Sequence, residues 1–157
     1  MTGGFDYSLA LKADGTITAW GAGATNSPPG FSNISGIAAG WSHFLGLRTN
    51  GSVVGWGDNT FGQLGDGTFT QRNVPMFADL PPGATATTLG AGNRHSLALT
   101  SRGQVLGWGQ GDSGELGQGS FIGSDTPVQA QIPANLVVTA LGSGPGTGTS
   151  MAIVHKK

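Results

Sequence analysis

Gly92-Asn93-Arg94-His95-Ser96-Leu97-Ala98-Leu99, followed by Arg102-Gly103 and Val105-Leu106-Gly107-Trp108-Gly109, decides the fold because the same string recurs along the chain. One copy earlier stand Gly40-Trp41-Ser42-His43-Phe44-Leu45-Gly46-Leu47, then Asn50-Gly51 and Val53-Val54-Gly55-Trp56-Gly57. Near the start run Gly4-Phe5-Asp6-Tyr7-Ser8-Leu9-Ala10-Leu11, Asp14-Gly15 and Ile17-Thr18-Ala19-Trp20-Gly21. A fourth copy opens at Leu141-Gly142 and reaches Ser150-Met151-Ala152-Ile153-Val154 through a longer Gly-rich approach. The step from Gly40 to Gly92 is 52 residues, as is that from Gly92 to Gly144, and Leu64-Gly65, Pro75 and Leu89-Gly90 match Leu116-Gly117, Pro127 and Leu141-Gly142. From Gly4 to Gly40 is 36 residues, so the first unit is shortened, with Ala24-Thr25-Asn26-Ser27-Pro28-Pro29 in place of the long middle loop. Self-similarity at a fixed period marks a repeat architecture.

Each unit predicts four short strands. The first two, around Leu-Ala-Leu and Val-x-Gly-Trp, are joined by Asp14-Gly15, Asn50-Gly51 or Arg102-Gly103; the first two of these are dipeptides that supply the positive φ angles of a tight hairpin. The third lies near Pro75-Met76-Phe77 or Pro127-Val128-Gln129, with Pro expected at the strand start. The fourth is Ile34-Ser35-Gly36-Ile37-Ala38, Ala86-Thr87-Thr88-Leu89 or Val137-Val138-Thr139-Ala140-Leu141. Four strands in each unit of roughly 40 to 50 residues is the period of a propeller blade. The expected fold is therefore all-β, a β-propeller segment of about three four-stranded antiparallel blades plus one extra strand. It forms a single repeat domain over 1–157, with units at about 4–39 (short), 40–91 and 92–143 and a partial unit at 144–157. Blades stack face to face, so small residues are needed where neighbouring backbones approach. Ala10, Gly46 and Ala98 share one such position, and Ala19, Gly55 and Gly107 another. Trp20, Trp56 and Trp108 recur at one position and read as packing rather than ligand stacking.

Composition agrees and narrows the function. The 157 residues include 30 Gly and 8 Pro, leaving little room for long helices, while charged residues are 10% and the net charge is -1. A nucleic-acid-binding surface or a polybasic membrane patch would need charge this chain lacks. Zero Cys excludes disulfides, thiolate metal sites and cysteine nucleophiles. No apolar run approaches 18 residues, and the opening Met1-Thr2-Gly3-Gly4-Phe5-Asp6 has no secretory-signal pattern.

Motifs that resemble chemistry dissolve into the repeat. Gly109-Gln110-Gly111-Asp112-Ser113-Gly114 matches a dinucleotide fingerprint in letters, but Glu115-Leu116-Gly117 follows where a helix is required. Gly111-Asp112-Ser113-Gly114 also looks like a protease nucleophile segment, yet its counterpart one repeat earlier is Asn59-Thr60-Phe61-Gly62. The stretch Gly142 to Gly148 lacks the Gly-Lys-Ser/Thr ending of a phosphate loop. His43 and His95 occupy matching positions on separate sheets, and hydrogen bonding at the strand entrance is favoured over a metal site. Glu115 is the only Glu, and no paired carboxylates stand out for acid–base work. No catalytic, cofactor or metal residue is expected. Where packing would hold a position constant, one varies: Phe5, Trp41 and Asn93, followed by Asp6, Ser42 and Arg94, lead into the first strand of each unit. Trp and Arg are frequent interface anchors, so Phe5, Trp41, Ser42, Asn93 and Arg94 form the candidate protein-binding set. The alternative is a partly buried Trp and a solvated Arg.

The pattern Gly-x-x-His-Ser-Leu-Ala-Leu, x-Gly-x-Val-x-x-Trp-Gly, then Gly-Gln-Leu-Gly-x-Gly (Gly92 to Gly109, and Gly62 to Gly67) resembles the repeat of the regulator of chromosome condensation family, whose members form seven-bladed β-propellers. The short first unit, with Pro28-Pro29-Gly30-Phe31-Ser32-Asn33-Ile34, is similar to compact bacterial members such as propeller-type β-lactamase inhibitory proteins. Gly40-Trp41-Ser42-His43 looks like a degenerate form of a motif in plant ultraviolet-B photoreceptors, but Trp and Arg here fall in different blades, which argues against photoreception. Seven blades need roughly twice this length, so the chain is expected to be a fragment or to self-associate to cover open blade faces. The resemblance implies a non-enzymatic protein-interaction scaffold acting through rim loops. Its alternatives are a guanine-nucleotide exchange factor-like regulator of a small GTPase and a β-lactamase inhibitor-like binder. The expected partners are proteins, with no nucleic acid, membrane or cofactor. The Lys-poor, Thr/Ser/Asn/Gly-rich composition leans toward a bacterial exported protein, with the cytoplasm as the alternative.

Overall fold

The computed structural model describes residues 1–21, 33–142 and 144–157. The shortened loop of the first unit, read above at 24–29 and 28–32, lies outside the described residues. Strands β1 (Thr2–Gly3), β2 (Tyr7–Leu11) and β3 (Ile17–Gly21) form one antiparallel sheet. A second holds β4 (Ile34–Ala39), β5 (His43–Arg48), β6 (Val53–Gly57) and β7 (Arg72–Phe77) in that order. The third repeats it with β8 (Ala86–Ala91), β9 (His95–Thr100), β10 (Val105–Gly109) and β11 (Ser124–Gln129), and β12 (Leu136–Gly142) pairs with β13 (Met151–Lys156). This is an all-β propeller segment, with no helix among the described residues.

The hairpin between the two central strands is the same three times. Gly15, Gly51 and Gly103 have φ of 76°, 81° and 75° and donate N–H bonds to the carbonyls of Lys12, Arg48 and Thr100 at 3.0, 2.9 and 2.9 Å. The residue before each Gly does not have positive φ, although Asp14-Gly15 and Asn50-Gly51 were expected to supply positive φ angles to a tight hairpin. Only the Gly is left-handed, as in a type I turn followed by a bulge, and Arg102 therefore fits where Asp14 and Asn50 stand. Asp14 and Asn50 add an acceptor: their Oδ1 atoms take the N–H of Thr16 and Ser52 at 2.9 and 3.1 Å.

The sheets are offset by one strand from the sequence units. Gly40 and Gly92, which open units in the sequence, close hairpins inside sheets: each donates its N–H to the carbonyl of the residue three further on, His43 or His95, at 2.9 Å. Ile34–Ala39 thus pairs with β5, Ala86–Ala91 with β9, and β12, the last strand of the third sequence unit, with β13, the extra strand of the partial unit. Pro75 and Pro127 sit within β7 and β11, not at their starts. Both strands are sheet edges, where a missing N–H removes no ladder bond.

Apolar layers fill the spaces between sheets. Leu9, Ile34, Phe44, Val54 and Trp56 lie between the first two. Leu45, Val53, Ala86, Leu106 and Trp108 lie between the second and third, and Leu97, Leu99, Val105 and Val138 reach the last. The small positions on the sheets have a different cause from the one expected. A side chain at Gly55 or Gly107 would meet Leu64 or Leu116 of the same unit's own middle loop, not a neighbouring sheet's backbone. Those leucines are fully buried, so the loop is pressed onto its own sheet. Packing explains Trp56 and Trp108, which are 3% and 0% exposed; Trp20 is 47% exposed, and no described sheet packs against its side of the first sheet.

Candidate functional site

His43 and His95 belong to the junctions between sheets. Each ring lies against Gly40 or Gly92, where no Cβ would fit. His43 Nε2 is 2.9 Å from Ser96 Oγ of the next sheet, and that hydroxyl donates to the Gln63 carbonyl at 2.7 Å. Trp108 Nε1 donates to the same carbonyl at 2.9 Å. One junction on, His95 Nε2 meets Ser150 Oγ at 2.9 Å, and Ser150 donates to the Glu115 carbonyl at 2.7 Å. Tyr7 and Phe44 replace His and Ser at the first junction, where the Tyr7 ring tilts against Phe44 with centroids 4.4 Å apart and Phe44 stacks on Trp56 at 5.1 Å. The Tyr7 hydroxyl donates to the Gly40 carbonyl at 2.6 Å, and burial raises its pKa.

Burial pushes His43 down to about 3, with His95 acting in the same direction and Asp58 opposing. Burial also lowers His95, against the opposing carboxylate of Glu115. Both imidazoles are neutral at physiological pH and tied to serines. Among the described residues no cluster of three or more metal-ligating side chains occurs.

The middle loop is built around Asn59 and Asp66. Asn59 Oδ1 accepts the Leu64 N–H at 2.9 Å, while its Nδ2 donates to Asp66 and to the Thr68 carbonyl. Asp66 accepts from Thr68 and from Arg72 Nε, the latter at 2.8 Å. Burial acts to raise the Asp66 pKa, but these donors outweigh it and hold the carboxyl below its usual value.

Of the five candidate binding residues, the structure gathers three. The loops leading into β2, β5 and β9 are chained by backbone bonds: Phe5 N–H to the Trp41 carbonyl at 3.3 Å, Trp41 N–H to Asn93 at 3.1 Å, and Asn93 N–H to Thr147 at 2.9 Å. Phe5 and Trp41 stack with centroids 4.0 Å apart and planes 14° from parallel, and both are exposed. With Ser42 they line a groove of about 400 Å³, together with Asp6, which shares the variable entry loop but was not in the candidate set, and with Asp58 and Arg72, which the sequence did not single out. A carboxylate directly after Phe5 and another directly after Trp56-Gly57 were the available signals. Asn93 and Arg94 do not line this groove. Asn93 is half-buried within the loop chain, and Arg94 places its guanidinium 4.7 Å from the Phe61 ring centre.

Repeated four-stranded sheets, stacked through apolar layers and joined along one edge by their loops, define a segment of a repeat-built β-propeller. The regulator of chromosome condensation (RCC1) repeat model matches residues 50–99 and 102–149, and a second RCC1 repeat model matches 34–63 and 86–115. The chain belongs to the RCC1 repeat family. It is 38% identical to the ultraviolet-B receptor UVR8 of Arabidopsis thaliana over 94 residues, 60% of this chain and 21% of that protein. Human E3 ubiquitin-protein ligase HERC2 is 32% identical over 139 residues, 77% of this chain and 3% of that protein. Among solved structures, yeast RCC1 (Prp20) bound to Kap60 superposes with a TM-score of 0.77 at 24% identity, covering 97% of this chain and 40% of that one. Human WBSCR16 gives 0.75 at 24% identity, with 97% and 42% covered. The chain thus spans less than half of each of these relatives. No helix among the described residues is long and apolar enough to cross a membrane.

Proposed function

We propose that this chain is a non-enzymatic protein-interaction module that binds a partner through the loops at one rim of its propeller blades. The observation that carries the reading is the exposed Phe5–Trp41 stack at the mouth of the groove. Two large aromatics held by backbone bonds are a pre-ordered anchor that loses little side-chain entropy on binding. Yeast RCC1 (Prp20), captured with Kap60 in one solved structure and described with binding properties to Gsp1p and histones in a second, supports a protein-binding use of the fold. Phage-displayed peptides selected on the immobilised chain should include binders that are lost on Trp41→Ala, with an unchanged circular dichroism spectrum. An absence of Trp41-dependent binders refutes the reading. Release of labelled GDP from a small GTPase panel, or inhibition of a β-lactamase at stoichiometric concentration, would redirect it to either alternative.

Self-association belongs to the same proposal. Trp20 on the first sheet and Met151, Ile153 and Val154 on the last are exposed apolar groups, and contact with another blade would bury them.

A further inference from the structure

We infer that the Phe5–Trp41 groove receives an arginine side chain from a basic segment of a partner protein, an inference that rests on the rim-binding reading and names its chemistry. Three charged residues line the groove: Asp6, Asp58 and Arg72. Arg72 is neutralised, because its guanidinium is 2.8 Å from Asp66 and also donates to Thr68. Asp58 is largely occupied: Oδ1 accepts from the Thr60 N–H and hydroxyl at 3.0 and 2.6 Å, and Oδ2 from Gln63 Nε2 at 2.9 Å. With both oxygens engaged inside its own loop, it offers little of a binding seat. Asp6 is exposed, and its carboxylate has no partner among the described residues. The groove therefore carries excess negative charge with one open carboxylate beside an aromatic pair.

A guanidinium satisfies both features at once. Its planar fork bonds a carboxylate through two N–H donors, and its face stacks on Trp. A neutral peptide would leave the Asp6 charge unused, and an acidic one would meet two carboxylates. Phe5 covers one face of Trp41, so the arginine would use the remaining exposed edge and face; Trp41 is 37% exposed.

The test uses two fluorescein-labelled peptides of Gly and Ser around three residues, arginine in one and its neutral isostere citrulline in the other, read by anisotropy against the full chain. The arginine peptide should bind at least tenfold more tightly, and Asp6→Asn and Trp41→Ala should each weaken it by about tenfold. Asp112→Asn, on a different loop, should leave it unchanged, and raising NaCl from 50 to 500 mM should weaken it. Equal affinity for both peptides, or undiminished binding to Asp6→Asn, overturns the inference. If the phage selection yields Trp41-dependent binders that are neutral or acidic, rim binding survives and the arginine assignment fails. If no Trp41-dependent binder appears and the arginine peptide is not bound, both fail.

Discussion

Lowering the pH from 7.5 to 5.0 should destabilise this protein through His43, and the size of the effect follows from where the ring lies. His43 is fully buried between two sheets, its Nε2 against Ser96 and its Nδ1 without a partner, and burial holds its pKa at about 3 instead of 6.5. Between those values the unfolded chain binds a proton that the folded chain refuses, so stability rises with pH across this window. The contribution is fully present above about pH 7.5 and declines as pH falls through 6.5 toward 3. At about 1.4 kcal/mol per pH unit, the 1.5 units from 6.5 to 5.0 amount to about 2 kcal/mol from this residue. His95, lowered in the same direction, adds to the loss. Urea denaturation at pH 7.5 and 5.0 measures it, with 2 kcal/mol appearing as a midpoint shift of about 1 M. Ending at pH 5.0 avoids the range near pH 4 where carboxylates of the unfolded chain titrate. His43→Gln keeps a polar partner for Ser96 without the titration, so its stability should change by about 2 kcal/mol less than wild type between the two pH values. An identical pH dependence in the variant would refute the account of a buried neutral imidazole.

Other perturbations test the same framework. Ser96→Ala strands His43 Nε2 in a buried site and should cost about 1–3 kcal/mol by urea denaturation at pH 7.5; a cost below 0.5 kcal/mol would mean the junction bond is dispensable. Gly92→Ala has no room beside the His95 ring and should destabilise by about 2 kcal/mol or more, whereas Gly103→Ala, open in space but left-handed at φ 75°, should cost about 1 kcal/mol. Asp66→Asn removes the charged acceptor shared by Thr68, Arg72 and Asn59 and should lower stability by about 1–3 kcal/mol, with faster proteolysis within residues 58–72. Light scattering on the purified chain should give a mass above that of the 15.7 kDa monomer, with a β-rich circular dichroism spectrum. Trp20→Ser should shift the mass toward the monomer, and a monodisperse wild-type monomer refutes self-association.

Local features were legible from residues alone. The 52-residue step, the left-handed Gly after each central strand and the alternation of Leu with Ala or Gly specify short strands and tight hairpins, because turn geometry and strand period depend on neighbours in the chain. The hydrogen-bonding role of His43 and His95 was readable from their matching positions, but their serine partners, 53 and 55 residues further along, were not. Of the candidate set, Phe5, Trp41 and Ser42 line one groove, an arrangement that strand-entry positions 36 residues apart do not reveal, nor do they reveal that Arg94 turns to Phe61 or that Asp6 is left open. The sequence by itself determined the repeat, its strands and its glycine-dependent turns. Tertiary structure alone decided that Gly40 and Gly92 close hairpins within sheets, that Leu64 and Leu116 fill the space above Gly55 and Gly107, and that Trp20 stays exposed while Trp56 and Trp108 are buried. The physical reason is that three copies of one string share the same local preferences, whereas burial, charge and hydrogen-bond partners are set by whichever sheet packs alongside, and that neighbour differs for each copy.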